Sequence, residues 1–215
     1  ESGELEKALA ATDELKDRRP EDIDLLKLRA DILEGLKRQE EAAAELSDLA
    51  ELFDLGTEEQ IDVLRRALVL DSSLRHLREK LAESFKKSGD SESAVFEYGR
   101  LANDYIEDMP SKAVGFAQMA FYLMPDDPRV RESLAKSHLK LGNIVEAEEH
   151  LSWLGEHYRE EGKQEKAIDI FEQALSIDGD RIDVRVGLAQ ALQDLKRNTE
   201  AAFQYMAVAE IYFQS

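Results

Sequence analysis

Apolar side chains recur along this chain at the spacing of one helix face. Ile144, Ala147, Leu151, Leu154 and Tyr158 form one such series, and Ala201, Tyr205, Val208 and Tyr212 form another. Steps of three and four residues bring side chains onto a common stripe of an α-helix, whereas strands would alternate. The series are cut by turn signals. Gly142-Asn143 and Gly162-Lys163 supply residues that end a helix, and Met124-Pro125-Asp126-Asp127-Pro128 stops one helix and starts the next. These boundaries predict helices over roughly 128 to 140, 144 to 160 and 164 to 177. Prolines stand only at 20, 110, 125 and 128, runs of Val, Ile and Thr are missing, and the intervening stretches are rich in Ala, Leu, Glu, Lys and Arg. Those residues lose little side-chain entropy in a helix, so an all-α chain without strands is expected.

The helices repeat. Leu81-Ala82, Leu134-Ala135 and Leu188-Ala189 recur about 53 residues apart, as do Ala94, Ala147 and Ala201, then Leu101, Leu154 and Val208, then Tyr105, Tyr158 and Tyr212. A weaker copy lies upstream at Ala30, Ala42, Leu49 and Phe53. Ala113, Ala120 and Pro125 map onto Ala167, Ala174 and Gly179, onto Gln60, Ala67 and Ser72, and onto Ala8, Leu15 and Pro20. Each period holds three helices joined by short turns, which makes neighbours antiparallel. The chain divides into a last helix of a preceding unit (1–20), three full units (21–72, 73–125, 126–179) and an incomplete one (180–215), about twelve helices in a single domain.

Within 151–179, Leu154-Gly155, Tyr158, Gly162, Ala167, Phe171, Ala174 and the turn Ser176-Ile177-Asp178-Gly179 resemble the tetratricopeptide pattern. Leu81-Ala82, Phe85, Gly89, Ala94, Tyr98 and Leu101 resemble it again. The resemblance implies a right-handed α-solenoid that binds other proteins. Here each middle helix closes one motif and opens the next, giving three helices per period; alternation of two layers is the second arrangement. Three-helix versions are similar to segments of large bacterial multi-repeat proteins linked to secretion, pili, motility or signalling. The family's Lys/Asn clamp for a C-terminal carboxylate is missing: Glu79, Glu83, Glu132, Lys136, Val186 and Gln190 occupy the matching places.

Charge narrows the partner. The chain carries a net −19, and residues 1–60 hold 19 acidic against 8 basic side chains, while 61–125 hold 10 against 9. Nucleic acid and anionic membrane surfaces are disfavoured, and a basic or neutral protein or peptide fits better, docked toward the N-terminal end. No stretch approaches the roughly 20 apolar residues of a membrane span, so no membrane insertion is expected. Glu1-Ser2-Gly3 is neither an initiator Met nor a secretory leader, which suggests an excised fragment. A cytoplasmic location is the default expectation. The absence of Cys removes disulfides and thiolate metal sites.

Trp153 is the one side chain the repeat does not demand; it lies about 200° around its helix from Leu151, with His150 and His157 as helical neighbours. One reading makes it an aromatic anchor for a partner, the other packs it against an adjacent layer. Arg78, Arg129 and Lys136 on first helices are candidate polar contacts. His138 stands where Phe85 and Leu192 occur in sister units and reads as a packed core histidine. His150 and His157 are two turns apart, too far for one metal ion, and no cofactor is implied. Paired glutamates such as Glu40-Glu41 read as solvated faces, so no enzyme is expected. A competing reading is a spacer or oligomerisation segment: Ile211-Tyr212-Phe213 ends a middle helix whose third partner is missing, leaving an apolar face for self-association.

Overall fold

The computed structural model describes residues 2–214, so Glu1 and Ser215, the outermost residues of the first and last expected units, lie outside the described residues. Twelve helices and no strand occur among the described residues. They are α1 (Ser2–Arg18), α2 (Ile23–Gly35), α3 (Gln39–Ala50), α4 (Glu58–Leu70), α5 (Arg75–Ser88), α6 (Ser91–Tyr105), α7 (Pro110–Leu123), α8 (Pro128–Leu141), α9 (Ile144–Glu160), α10 (Gln164–Ile177), α11 (Ile182–Asp194) and α12 (Asn198–Gln214). The fold is all-helical among the described residues.

Local chemistry sets the helix ends. Asp22, Thr57 and Asp127 cap α2, α4 and α8 by accepting from the amides of Leu25, Gln60 and Arg129, and Pro110 and Pro128 open α7 and α8. Gly89 and Gly142 end α5 and α8 in the left-handed conformation, with φ of 87° and 86°. At the same repeat position, Lys37 and Lys196 take φ of 60° and 59°. A side chain there crowds the following carbonyl, so both lysines are strained where glycine would not be.

Two compact bodies emerge, dividing between Leu101 and Ala102 inside α6. In the first, α1 to α5 pack sequentially, each against its chain neighbours. Leu9, Ile32, Leu33 and Ala42 join α1, α2 and α3. Gln60 stands where sister third helices carry Ala113 and Ala167, and its amide is fully used. It donates to the carbonyls of Ala50 (3.1 Å) and Phe53 (3.3 Å) and accepts from the Gly56 amide (3.1 Å) and Ser84 Oγ (2.7 Å). It thereby satisfies the open carbonyls at the end of α3 and ties α3, α4 and α5 together.

In the second body α7 to α12 again pack in sequence, and α11 also returns against α9. Its core gathers Leu151, Leu154, Tyr158, Ile168, Phe171 and Leu188. Phe171 is fully buried between two glycines: a Cβ at Gly155 would lie 2.3 Å from its ring, and one at Gly187 2.6 Å. The helices approach this closely because those positions carry no side chain. Of the α9 stripe, only Ile144, at the first turn, is exposed. On α12 only Ala201 is buried. Tyr212 is 66% and Phe213 91% exposed, whereas Tyr158, at the repeat position of Tyr212, is covered.

Candidate protein-binding surface

Arginines recur on the first helices at the repeat spacing and do the same local work. Arg78 donates to the carbonyl of Ser72 (2.8 Å), Arg131 to that of Pro125 (2.8 Å) and Arg185 to that of Gly179 (2.7 Å), each six residues back. The guanidinium thus holds the turn that precedes its own helix. Its remaining donors meet one position of the middle helix. Arg78 bonds Glu97 (3.0 Å) and Arg185 bonds Gln204 (2.9 Å). In the unit between, that position is His150.

This exchange explains the surroundings of Trp153. Burial, Arg131 and His138 push the His150 imidazole down to about 4, so it stays neutral, and its Nδ1 is buried without a hydrogen-bond partner. Instead of bonding an acceptor on the middle helix, Arg131 lies 4.1 Å from the centre of the Trp153 ring and 5.0 Å from that of Phe121. His157 stacks on the same indole at 4.7 Å and 11° and reaches Glu161 at 3.6 Å. Sister helices place Arg100 and Ala207 at the position of Trp153, and neither could support an arginine in this way. Trp153 is partly buried and packs on the core of this body, with its ring already engaged by Arg131 and His157.

The six expected contact residues therefore separate. Trp153, His150 and His157 come together, but as an internal stack, with His150 turned toward His138 (5.9 Å) and Phe121 (5.7 Å). Arg78 requires correction. It is 2% exposed and paired with Glu97, so it cannot meet a partner; the carboxylate on the next helix is what allows a guanidinium to be buried there. Arg129 and Lys136 are exposed, paired with Asp127 (2.5 Å) and Glu132 (2.7 Å). Arg129 also borders a shallow depression of about 600 Å³ formed by Met124, Pro125 and Pro128 at the α7–α8 turn. His138 is buried, with Nδ1 3.2 Å from the Asn143 amide nitrogen. Among the described residues no three His, Asp or Glu are arranged to hold a metal, and no helix is long and apolar enough to cross a membrane.

A sequence profile for the tetratricopeptide repeat matches residues 158–214. Over that stretch the chain is similar to the tetratricopeptide repeat. The matched stretch runs from the end of α9 through α12 and includes the packing of Phe171 on Gly187. No curated protein matches the sequence. Among solved structures, the chain is similar to BtubC (BKLC) from P. vanneervenii, 14% identical over 99% of this chain and 90% of that one, TM-score 0.40. It is also similar to MamA AMB-1, 16% identical over 67% of this chain and 95% of that one, TM-score 0.33. A third likeness is to the APC/C hetero-tetramer Cut9-Hcn1, 16% identical over 96% of this chain and 50% of that one, TM-score 0.30. At these TM-scores the likenesses carry no weight for shape or partner.

Proposed function

We propose that the chain is a protein–protein interaction scaffold that binds a basic or neutral protein or peptide on its helical surface, within a bacterial secretion, pilus, motility or signalling assembly. The observation that carries this reading is the set of large apolar side chains left open on helices whose packed faces are already satisfied. Tyr122 on α7 is 84% exposed and Val145 on α9 63%, with Met119 and Ile144 also open. Such side chains offer apolar area that a partner can cover. The net charge of −19 favours a partner that is not acidic.

The test is to identify a captured partner, purify it, and measure its binding to the intact chain and to Arg129→Glu/Lys136→Glu. Both residues are exposed, so the reversal leaves the core alone. A changed affinity supports docking on this surface; unchanged affinity removes it. A second reading, self-association through α12, is favoured by the open Phe203, Tyr205, Met206, Tyr212 and Phe213. Light scattering that finds a stable monomer at high concentration would count against it.

A further inference from the structure

The first three helices break the pattern of the other repeats at one place. On α1, Thr12 stands where α4, α7 and α10 carry Leu64, Ala117 and Phe171, and Lys16 where they carry Leu68, Phe121 and Leu175. On α2, Arg29 stands where α5, α8 and α11 carry Leu81, Leu134 and Leu188, all buried. The fold at these positions accepts apolar side chains in every sister unit, so nothing in the packing demands polar ones. Burying cations in their place carries a desolvation cost that well-packed leucines avoid. Departures of this kind concentrate at functional sites.

Lys16 and Arg29 line a groove of about 480 Å³ between α1, α2 and α3, within the volume range of ligand sites, and the buried Thr12 accepts a hydrogen bond from Arg29. Arg29 donates to Thr12 (3.1 Å), Asp13 (2.6 Å) and Glu45 (3.0 Å), and Lys16 bonds Glu45 (3.0 Å) and Asp48 (3.1 Å). Burial opposes the charge on Lys16 and Arg29, but these hydrogen bonds outweigh it and hold both above their ordinary values, so both stay protonated. Arg38 pairs Glu41 (2.5 Å) and Glu6 (3.8 Å) at the rim. The charges are sorted by depth. The side chains of Glu6, Asp13, Glu41 and Asp48 are 55–64% exposed, while those of Lys16, Arg29 and Arg38 are 10–37% exposed. Five carboxylates, counting the buried Glu45, share three cations. An approaching group meets carboxylates first, above a wall that includes Leu9, Ala10, Leu33 and Ala44.

The geometry points to this groove as the docking site for an arginine- or lysine-bearing segment of a partner protein: the apolar wall suits the aliphatic stem and the mouth carboxylates suit the cationic head. The proposal rests on the scaffold reading above and gives it a ligand chemistry. It also agrees with the excess of acid over base in residues 1–60.

Fluorescence anisotropy of a labelled hexa-arginine peptide against the full chain, at near-physiological salt, tests it. Saturable binding is expected, weakened at least ~10-fold by Asp13→Asn/Asp48→Asn and less than ~2-fold by Asp62→Asn/Glu92→Gln, an equal charge change outside the groove. Ala44→Leu, which enlarges a lining side chain without altering charge, should also weaken binding by narrowing the groove; circular dichroism checks that each variant is folded. Equal weakening by the two double variants would reduce the effect to net charge, and full binding by a folded Ala44→Leu would place it elsewhere; either result overturns the proposal. An unaltered chain that ignores hexa-arginine, yet binds its purified partner in a manner sensitive to Arg129→Glu/Lys136→Glu, sinks the groove and leaves the scaffold reading standing.

Discussion

The contact of α1 with α2 and the contact of α10 with α11 use equivalent repeat positions and opposite chemistry. In the second, Phe171 fills the space between Gly155 and Gly187, with Leu188 buried beside it. In the first, Thr12 stands at the position of Phe171 and Arg29 at that of Leu188, and a groove opens between the helices. An aromatic ring and two glycines close a junction because dispersion and burial both reward contact. A guanidinium and an ammonium cannot do this; they need carboxylates within hydrogen-bonding distance, and those carboxylates keep their other oxygens toward water. One frame therefore yields a dry clamp or a polar cleft according to two or three side chains.

The comparison can be broken most forcefully at the dry junction. Phe171→Ala should lower the unfolding free energy by about 3–5 kcal/mol in a urea titration, since the cavity is walled by backbone at two glycines and cannot collapse easily. A loss below about 1 kcal/mol would show that the ring does not hold these helices. At the polar junction, Arg29→Ala should cost about 3 kcal/mol by the same measurement, because it strips the buried Glu45 of the more buried of its two cationic partners. Converting the set to sister-unit chemistry, with Thr12→Leu, Lys16→Leu, Arg29→Leu and Glu45→Gln, should recover that loss or exceed it. If the converted chain is less stable than the original, the polar set is there for stability and not for a ligand.

A smaller effect separates the arginine positions. His150 is held down to about 4 in the fold, from an ordinary value of 6.5. A neutral group depressed in this way contributes its full stability above pH about 6.5 and loses it as pH falls toward 4, because the unfolded chain binds the proton first. The ring is only half-buried, so the discounted size is on the order of 1–2 kcal/mol. His150→Gln, which copies Gln204 and offers Arg131 an acceptor, should remove that part of the pH slope in parallel melts at pH 7.5 and 4.5. Identical slopes in the two proteins would mean that Arg131 and burial do not act on the ring. The smallest change is at the turns: Lys37→Gly should stabilise the chain by about 1 kcal/mol by giving α2 the left-handed glycine that α5 and α8 already have. No gain in the midpoint of thermal unfolding would show that the lysine is not strained.

The groove was half legible. An acidic N-terminal third follows from counting charges, and the substitutions at 12, 16 and 29 follow from aligning the units, yet neither says that the three residues meet. Arg78 shows the opposite limit. Its charge and its place on a first helix suggest a surface contact, and only the position of Glu97 on the next helix explains its burial. Trp153 was noticed for being unusual, but its role depends on Arg131 and on the loss of an acceptor at His150, a relation between two helices.

The sequence by itself determined the helices, their turns and their period. Those rest on local propensities, caps and the spacing of apolar side chains, all written within a few residues of where they act. The tertiary structure decided which charges are buried and paired, which aromatic ring is engaged, and where a cleft stays open. Pairing and burial depend on distances between side chains some twenty to thirty residues apart, and no local pattern carries those distances.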